Sequence, residues 1–444
     1  MSENYDHIAQ LHVPVSAVFV DKNAIQLNSS ARDHTRNAKR TLSKSIFITP
    51  DSSFSSPNQE IGDIALSSVS ESRTYRAVLR ETGSGDKKKR FAEIWNKENV
   101  VVCKDVTDIH GAFYNDDYVS SLSFSPSENA IIYVAEEKFS QSKDIPAHYL
   151  YKQSFGEEFE NTTLVRLETS SPNVLFGQAV FSTKENVIFA TGYEHTLGGR
   201  LLGIKGCFNR PTGIWRLTFE KNALQDAVEK AKDQVDLPIA VDCKLFKLTP
   251  PQSSCRSPRL ARGSNQLLWL AQASAGAHAG TTQLQSVDIT TAINDFSENQ
   301  IKSIVDIVDA PSSAGEFPGF NPDPTLPSSP LVRLGDREHL VVHSVWGSRT
   351  TILFISIKDG SVKNLTPLED NLPYSWSVLC TDNDKRVICI RSSNTVPFEV
   401  VLGEFDDQGN VSWRVLQESL SLLPQSVQDG LRALKKVSSF SSQS

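Results

Sequence analysis

The densest concentration of chemically usable residues is the stretch 197–219, LGGRLLGIKGCFNRPTGIWRLTF, which follows Gly192, Tyr193, Glu194 and His195. Gly198, Gly199, Gly203 and Gly206 permit tight turns or a close approach of backbone to another surface. Arg200, Lys205 and Arg210 add positive charge able to meet a carboxylate, and they are the candidate substrate- or partner-facing residues. A second reading stands beside this one. Glycine in β structure most often serves geometry, so the stretch also reads as a strand pair with structural turns.

Catalytic patterns are sparse. A serine hydrolase of the α/β type needs a strained strand-to-helix turn written G-x-S-x-G, and the chain contains none. Gly83, Ser84 and Gly85 form a polar turn ahead of DKKKR, which reads as a solvated hairpin tip, with a nuclear localisation patch as the alternative. The nine histidines include no HExxH. His339 and His343 lie on a strand-like run, which sets them about 13 Å apart on one face, too far to share a metal. With no P-loop and no GxGxxG, no catalytic residue, metal or cofactor is expected.

Charge and cysteine usage narrow the class. Forty-five basic residues against 52 acidic ones give a net charge of -7, so the electrostatic footprint of a nucleic-acid binder is missing. No run approaches the roughly 18 apolar residues of a membrane helix, and the first residues lack a signal-peptide pattern. The expected location is the cytoplasm. Six cysteines, Cys103, Cys207, Cys243, Cys255, Cys380 and Cys389, fall in no paired spacing and read as free thiols.

The elements that must position these groups are strands. AIIYVA at 130–135, NVIFA at 186–190, QLLWL at 266–270, HLVVHSVW at 339–346, TILFISI at 351–357 and RVICI at 386–390 are short, β-branched and bounded by turn formers. Several are continuously apolar, so both faces are covered. They recur within a larger unit, visible when FSPSENAIIYVA (124–135) is set against FSTKENVIFATG (181–192). Looser copies occupy 256–271, 329–346 and 375–391. This pattern predicts an all-β fold, a β-propeller of about seven blades with short helical insertions, over a β-sandwich, which needs fewer strands. The division expected is 1–60 as a partly stranded segment, 61–416 as the propeller, and 417–444 as a weak helix and disordered tail. Helical spacing appears at 222–235 and again at Val427, Leu431 and Leu434. Residues 310–330, crowded with Pro, Ser and Gly, read as a flexible surface loop.

The run 176–219, FGQAVFSTKENVIFATGYEHTLGGRLLGIKGCFNRPTGIWRLTF, resembles the amino-terminal region of the acylaminoacyl-peptidases, within the prolyl oligopeptidase family of serine peptidases. SSLSFSPSENAIIYVAEEK at 120–138 and KKKRFAEIWNKENVV at 87–101 are similar to earlier blades of that region in the same order. The resemblance implies a propeller that gates a carboxy-terminal hydrolase domain, the whole enzyme removing an N-acylated amino acid from short peptides. It spans nearly the whole chain but only the propeller, so the family's serine, aspartate and histidine have no counterpart here. The expectations are a chain inactive alone, with short N-acylated peptides as partners once a hydrolase domain is supplied, docking to such a domain, or self-association. The alternative is a propeller scaffold for protein interaction without peptidase function.

Overall fold

The computed structural model describes residues 7–137, 157–158, 165–169, 174–196, 198–202, 207–231, 239–278, 280–311, 313, 315–367 and 374–438. All six expected strands are present. They lie, to within a residue, inside Ala130–Tyr133 with Ala135–Glu137, Val187–Glu194, Gln266–Ala273, Arg337–Trp346, Arg349–Ser356 and Arg386–Ser392. Among the described residues the strands fall into seven consecutive, mainly antiparallel groups, called sheets 1 to 7 below, the blades of a β-propeller; sheet 3 is made of a two-stranded and a three-stranded piece, and sheets 4 and 5 are joined into one nine-stranded sheet through a parallel contact of Thr212 with Ser254.

Two compact units contain these sheets, one of Met1–Gly62 with Ala310–Ser444, the other of Asp63–Asp309. In the first unit, sheet 1 runs Val13–Asp21, Ala24–Asp33, Ala38–Ile48 and Ser53–Ser55; sheet 6 begins at Leu331–Leu334, and sheet 7 runs from Ser375–Thr381 to Val411–Glu418. In the second, sheet 2 runs from Ile64–Val69 to Asn99–Asp105. Sheet 3 is built around Leu122–Phe124 and Ala130–Tyr133, and sheet 5 runs from Ser253–Ala261 to Lys302–Val305. Sheet 4 comprises Val174–Phe181, Val187–Glu194, Thr212–Thr218 and Ile239–Lys247, with Val165–Thr169 added in parallel at its outer edge.

Apolar residues occupy both faces of many strands because, within each unit, neighbouring sheets pack on one another. Ala77, Leu79 and Ile94 of sheet 2 pack on Phe124, Ile131 and Tyr133 of sheet 3. Ile132 and Val134 in turn join Phe176, Ile188 and Leu217 of sheet 4, whose Phe189 and Ile214 meet Leu267 and Trp269 of sheet 5. In the first unit, Val341 and Phe354 of sheet 6 pack on Trp376 and Val401 of sheet 7. The opposite face of sheet 7, Ile388 and Leu402, packs on Phe19, Ile25 and Ile46 of sheet 1. Residues 13–60 therefore supply a complete sheet, and among the described residues the first and last sheets meet by packing without sharing a strand.

Among the described residues three helices of six or more residues accompany the sheets: α1 Ala223–Ala231, α2 Ile289–Asn294 and α3 Gln425–Ser438. Ala227 of α1 is buried against sheet 4, and Val427 of α3 is buried while Leu434 is exposed. The sequence pattern did not mark α2, which is short and β-branched; Asp288 caps it by accepting from Thr291 N–H at 2.9 Å. The expected flexible loop at 310–330 is corrected. Phe320 and Leu326 are fully buried, and Asn321 is tied to the second strand of sheet 6 through Ser344 Oγ (2.9 Å) and Val345 N–H (3.1 Å). Proline and glycine there make an irregular segment that is docked. The tail 439–444 lies outside the described residues.

Candidate functional site

The glycine-dense hairpin joins the second and third strands of sheet 4. Gly192 and Gly213 face each other across it. A Cβ on Gly192 would lie 2.4 Å from Trp215 Cδ1, and one on Gly213 would lie 2.6 Å from Lys247 Cε. The bare glycine pair is what lets the indole and the lysine stem lie flat on the sheet, where Lys247 ion-pairs with Glu194. Beyond the strands, Thr196 and Arg200 close a turn (N–H to carbonyl, 2.8 Å) in which Gly199 takes φ +73°.

The three candidate cations are not gathered into one cluster. Arg200 is exposed at this turn, Arg210 is half-buried with its Nε lacking a hydrogen-bond partner, and Lys205, with Gly203 and Gly206, lies outside the described residues.

What the hairpin does hold is its neighbouring sheets. Phe208 stacks on Tyr118 of the sheet 3 segment with ring centroids 6.3 Å apart, and Arg256 of sheet 5 lies 5.0 Å over the Phe208 ring. Asn209 Nδ2 donates to the Gly276 carbonyl at 2.6 Å and its own carbonyl accepts from Ala275 N–H at 2.8 Å. Arg256 also donates to Gln272 Oε1 at 3.2 Å; burial brings its pKa down to about 10, still charged at neutral pH. Tyr193 donates its hydroxyl to the Tyr118 carbonyl, and burial, with Asp116 nearby, pushes its pKa up.

Gln178, on the first strand of sheet 4, is a buried polar group. Its Nε2 donates to the Asp117 carbonyl (3.0 Å), while its Oε1 accepts from Thr191 Oγ1 (2.7 Å) and from Ser257 N–H (2.8 Å). One amide thus links sheets 3, 4 and 5. Both Gln178 (φ +53°) and Ser257 (φ +62°) sit in left-handed backbone inside bulges of their first strands. Such conformations cost about 1–3 kcal/mol each and persist where surroundings over-determine them, as these hydrogen bonds do.

None of this activates a nucleophile. Burial pushes the thiols of Cys243 and Cys255 up to about 12 and about 11, and that of Cys389 well up, so they stay protonated. His343 accepts from Val378 N–H at Nδ1 (3.1 Å), which leaves its proton on Nε2 facing Asp323 at 2.8 Å; neither nitrogen is left to serve as a base. His339 stacks on Phe354 with centroids 4.2 Å apart. Sequence reasoning found the hairpin but missed Gln178, Phe208 and Arg256. The available signal was the shared bulge, legible only when FGQAVF (176–181) is set against CRSPRLA (255–261).

Comparison with known proteins agrees with this geometry. The chain is 27% identical over 425 residues to acylamino-acid-releasing enzyme 1 of Oryza sativa, covering 82% of this chain and 51% of that protein. It is 27% identical over 405 residues to the Mus musculus acylamino-acid-releasing enzyme, covering 80% and 50%. The chain therefore spans about half the length of the curated relatives it matches. Among solved structures, Pyrococcus horikoshii acylaminoacyl peptidase superposes with TM-score 0.55 at 12% identity, over 94% of this chain and 54% of that one. The β-propeller domain of the Trilobed protease from Pyrococcus furiosus, described as having an open velcro topology, gives TM-score 0.53 at 10% identity, over 92% and 97%. These two likenesses show the fold. Residues 8–164 and 142–427 match the family described as the acylamino-acid-releasing enzyme N-terminal domain, and the chain belongs to that family.

Proposed function

We propose that this chain is the substrate-gating propeller of an acylaminoacyl-peptidase-like serine peptidase that releases N-acylated amino acids from short peptides. The observation that carries the reading is the family match, which runs through nearly all seven sheets. In this reading the Ser-Asp-His triad belongs to a hydrolase domain that docks on the propeller, and these 444 residues have no turnover by themselves. The burial of Cys243, Cys255, Cys380 and Cys389 and the commitment of both His343 nitrogens support that part. Arg200, Lys205 and Arg210 remain the proposed peptide- or partner-facing cations of the hairpin. The exposed Leu434 of α3 is a proposed part of the docking contact. Six unbridged cysteines suit a reducing compartment, the cytoplasm in this proposal.

The test is direct. Incubating the purified chain with acetyl-alanine p-nitroanilide should give no turnover, while adding the separately produced hydrolase domain of a relative should give activity and a complex in solution. Release of nitroaniline by this chain alone would remove the claim of inactivity. Failure to bind any hydrolase domain would favour a scaffold.

A further inference from the structure

In the second unit the first strands of sheets 2 to 5 end in polar turns, and the turns of sheets 2 and 3 and of sheets 3 and 4 are buttoned together. Glu128 in the turn of sheet 3 accepts from Ser72 N–H and Ser72 Oγ of sheet 2, both at 2.7 Å. Glu185 in the turn of sheet 4 does the same for Ser127 N–H of sheet 3 at 2.6 Å. One pair breaks this neighbour-to-neighbour rule. Glu71, in the turn after Ile64–Val69, lies 2.8 Å (Oε2) from Arg262 Nη1, in the turn after Ser253–Ala261. These turns belong to sheets 2 and 5, with sheets 3 and 4 between them in the series. First strands of a propeller surround its axis, so a bridge that skips two sheets crosses the axial end of those strands.

The chemistry of the pair differs from that of the buttons. Glu128 and Glu185 hold backbone N–H groups, which cannot move away without moving the main chain of the turn that carries them. Glu71 and Arg262 meet only through side-chain tips, with 65% and 36% of the side chains exposed. An exposed pair of this kind biases an equilibrium by no more than about fivefold and is screened by salt. That is too weak for a strut and suited to a contact that opens.

We propose that Glu71 and Arg262 form a salt-sensitive clasp across the end of the first strands of sheets 2 to 5, opening to admit a short peptide. The proposal rests on the peptide-gating reading given above and names the residues that would set the gate.

The test uses the whole chain, an N-acetylated pentapeptide with a C-terminal fluorophore, and stopped-flow anisotropy at 20 and 500 mM NaCl. For the unaltered chain the association rate should rise several-fold with salt. Glu71→Gln and Arg262→Gln should each show the fast rate at low salt and lose the salt dependence, and the double swap Glu71→Arg with Arg262→Glu should restore the slow, salt-dependent rate. Amide hydrogen exchange of residues 70–75 and 261–266 should accelerate together in either single variant, which reports clasp opening apart from uptake. If exchange accelerates while association is unchanged, the clasp is not a gate, and the proposal falls while the propeller reading stands. If neither exchange nor association responds, the clasp itself is refuted. Absence of peptide binding to every form would overturn both this proposal and the gating reading.

Discussion

Arg414 Nη1 donates to the carbonyl oxygen of Thr49 at 2.9 Å, joining the last strand of sheet 7 to the turn before the last strand of sheet 1. The same nitrogen lies 3.1 Å from the Pro50 carbonyl, and Ser53 Oγ donates back to the Leu416 carbonyl at 2.9 Å. Arg386 adds a second tie by donating to the Lys22 carbonyl while its guanidinium lies 4.9 Å over the Phe19 ring. Where no strand is exchanged, guanidinium groups and the apolar face carry the closure of sheet 7 on sheet 1.

Arg414→Ala should therefore lower the unfolding free energy by about 1.5–3 kcal/mol, the range for hydrogen bonds to a charged group. Arg414→Lys should recover part of this, because an ammonium cannot cover the same fork of carbonyls. Guanidinium chloride unfolding of the three proteins checks it. An unchanged midpoint for the alanine variant would mean that packing alone closes the seam.

Gln178→Ala removes an amide that serves three sheets at once. Thr191 loses its acceptor and the Asp117 carbonyl its donor, inside a region where Gln178 is 6% exposed. Leaving buried polar groups without partners costs about 1–3 kcal/mol each, so a loss of at least about 2 kcal/mol is expected. Gln178→Gly relieves the left-handed backbone but not the lost amide, and should stay well below the unaltered protein. A Gly variant as stable as the parent would show that strain, not bridging, dominates this position.

The legible part of this fold was its periodicity. Strand cores such as QLLWL and RVICI announce themselves because sandwiched sheets demand apolar residues on both faces, a local and repeated constraint. The docking of Phe320 and Leu326 was hidden, since proline and glycine mark irregular backbone and say nothing about whether it is buried. Gln178 and Ser257 were hidden for a different reason. Their roles come from bulges that pair residues 79 positions apart in sequence, and no local pattern encodes the partner. At the hairpin the charges drew attention, while the pairing of Gly192 with Gly213 depended on strand register, which spacing alone does not fix.

The two glycine classes of the hairpin should respond unequally to the same substitution. Gly192→Ala drives a methyl group to 2.4 Å from the Trp215 ring and should cost about 1–3 kcal/mol through overpacking, or force the indole off the sheet. Gly198→Ala meets nothing closer than Thr196 Oγ1 at 3.9 Å and should change stability by less than about 0.5 kcal/mol. Thermal unfolding together with tryptophan fluorescence separates them, the emission shift belonging to Gly192→Ala alone. Equal effects at both sites would mean that the hairpin relaxes freely and positions nothing.

Thiol chemistry gives a pH-dependent test of the core. Cys103 is exposed, whereas Cys243, Cys255, Cys380 and Cys389 are buried. An aromatic disulfide reagent at pH 8 should modify Cys103 quickly and these four only after unfolding, because the thiolate is the reactive form and burial withholds it. The sign of the linked stability follows from the same burial. Cys255, pushed up to about 11 in the fold, ionises near 8.5 once unfolded, so its contribution is fully present below about pH 8.5 and drains away as pH rises toward 11. The slope should approach about 1.4 kcal/mol per pH unit for that one group. Cys255→Ala deletes the titration, so unfolding free energy between pH 8.5 and 10.5 should fall less steeply in the variant, whatever cavity cost it carries at neutral pH. Parallel slopes for the two proteins would place the Cys255 thiol in contact with solvent and contradict its burial between sheets 4 and 5.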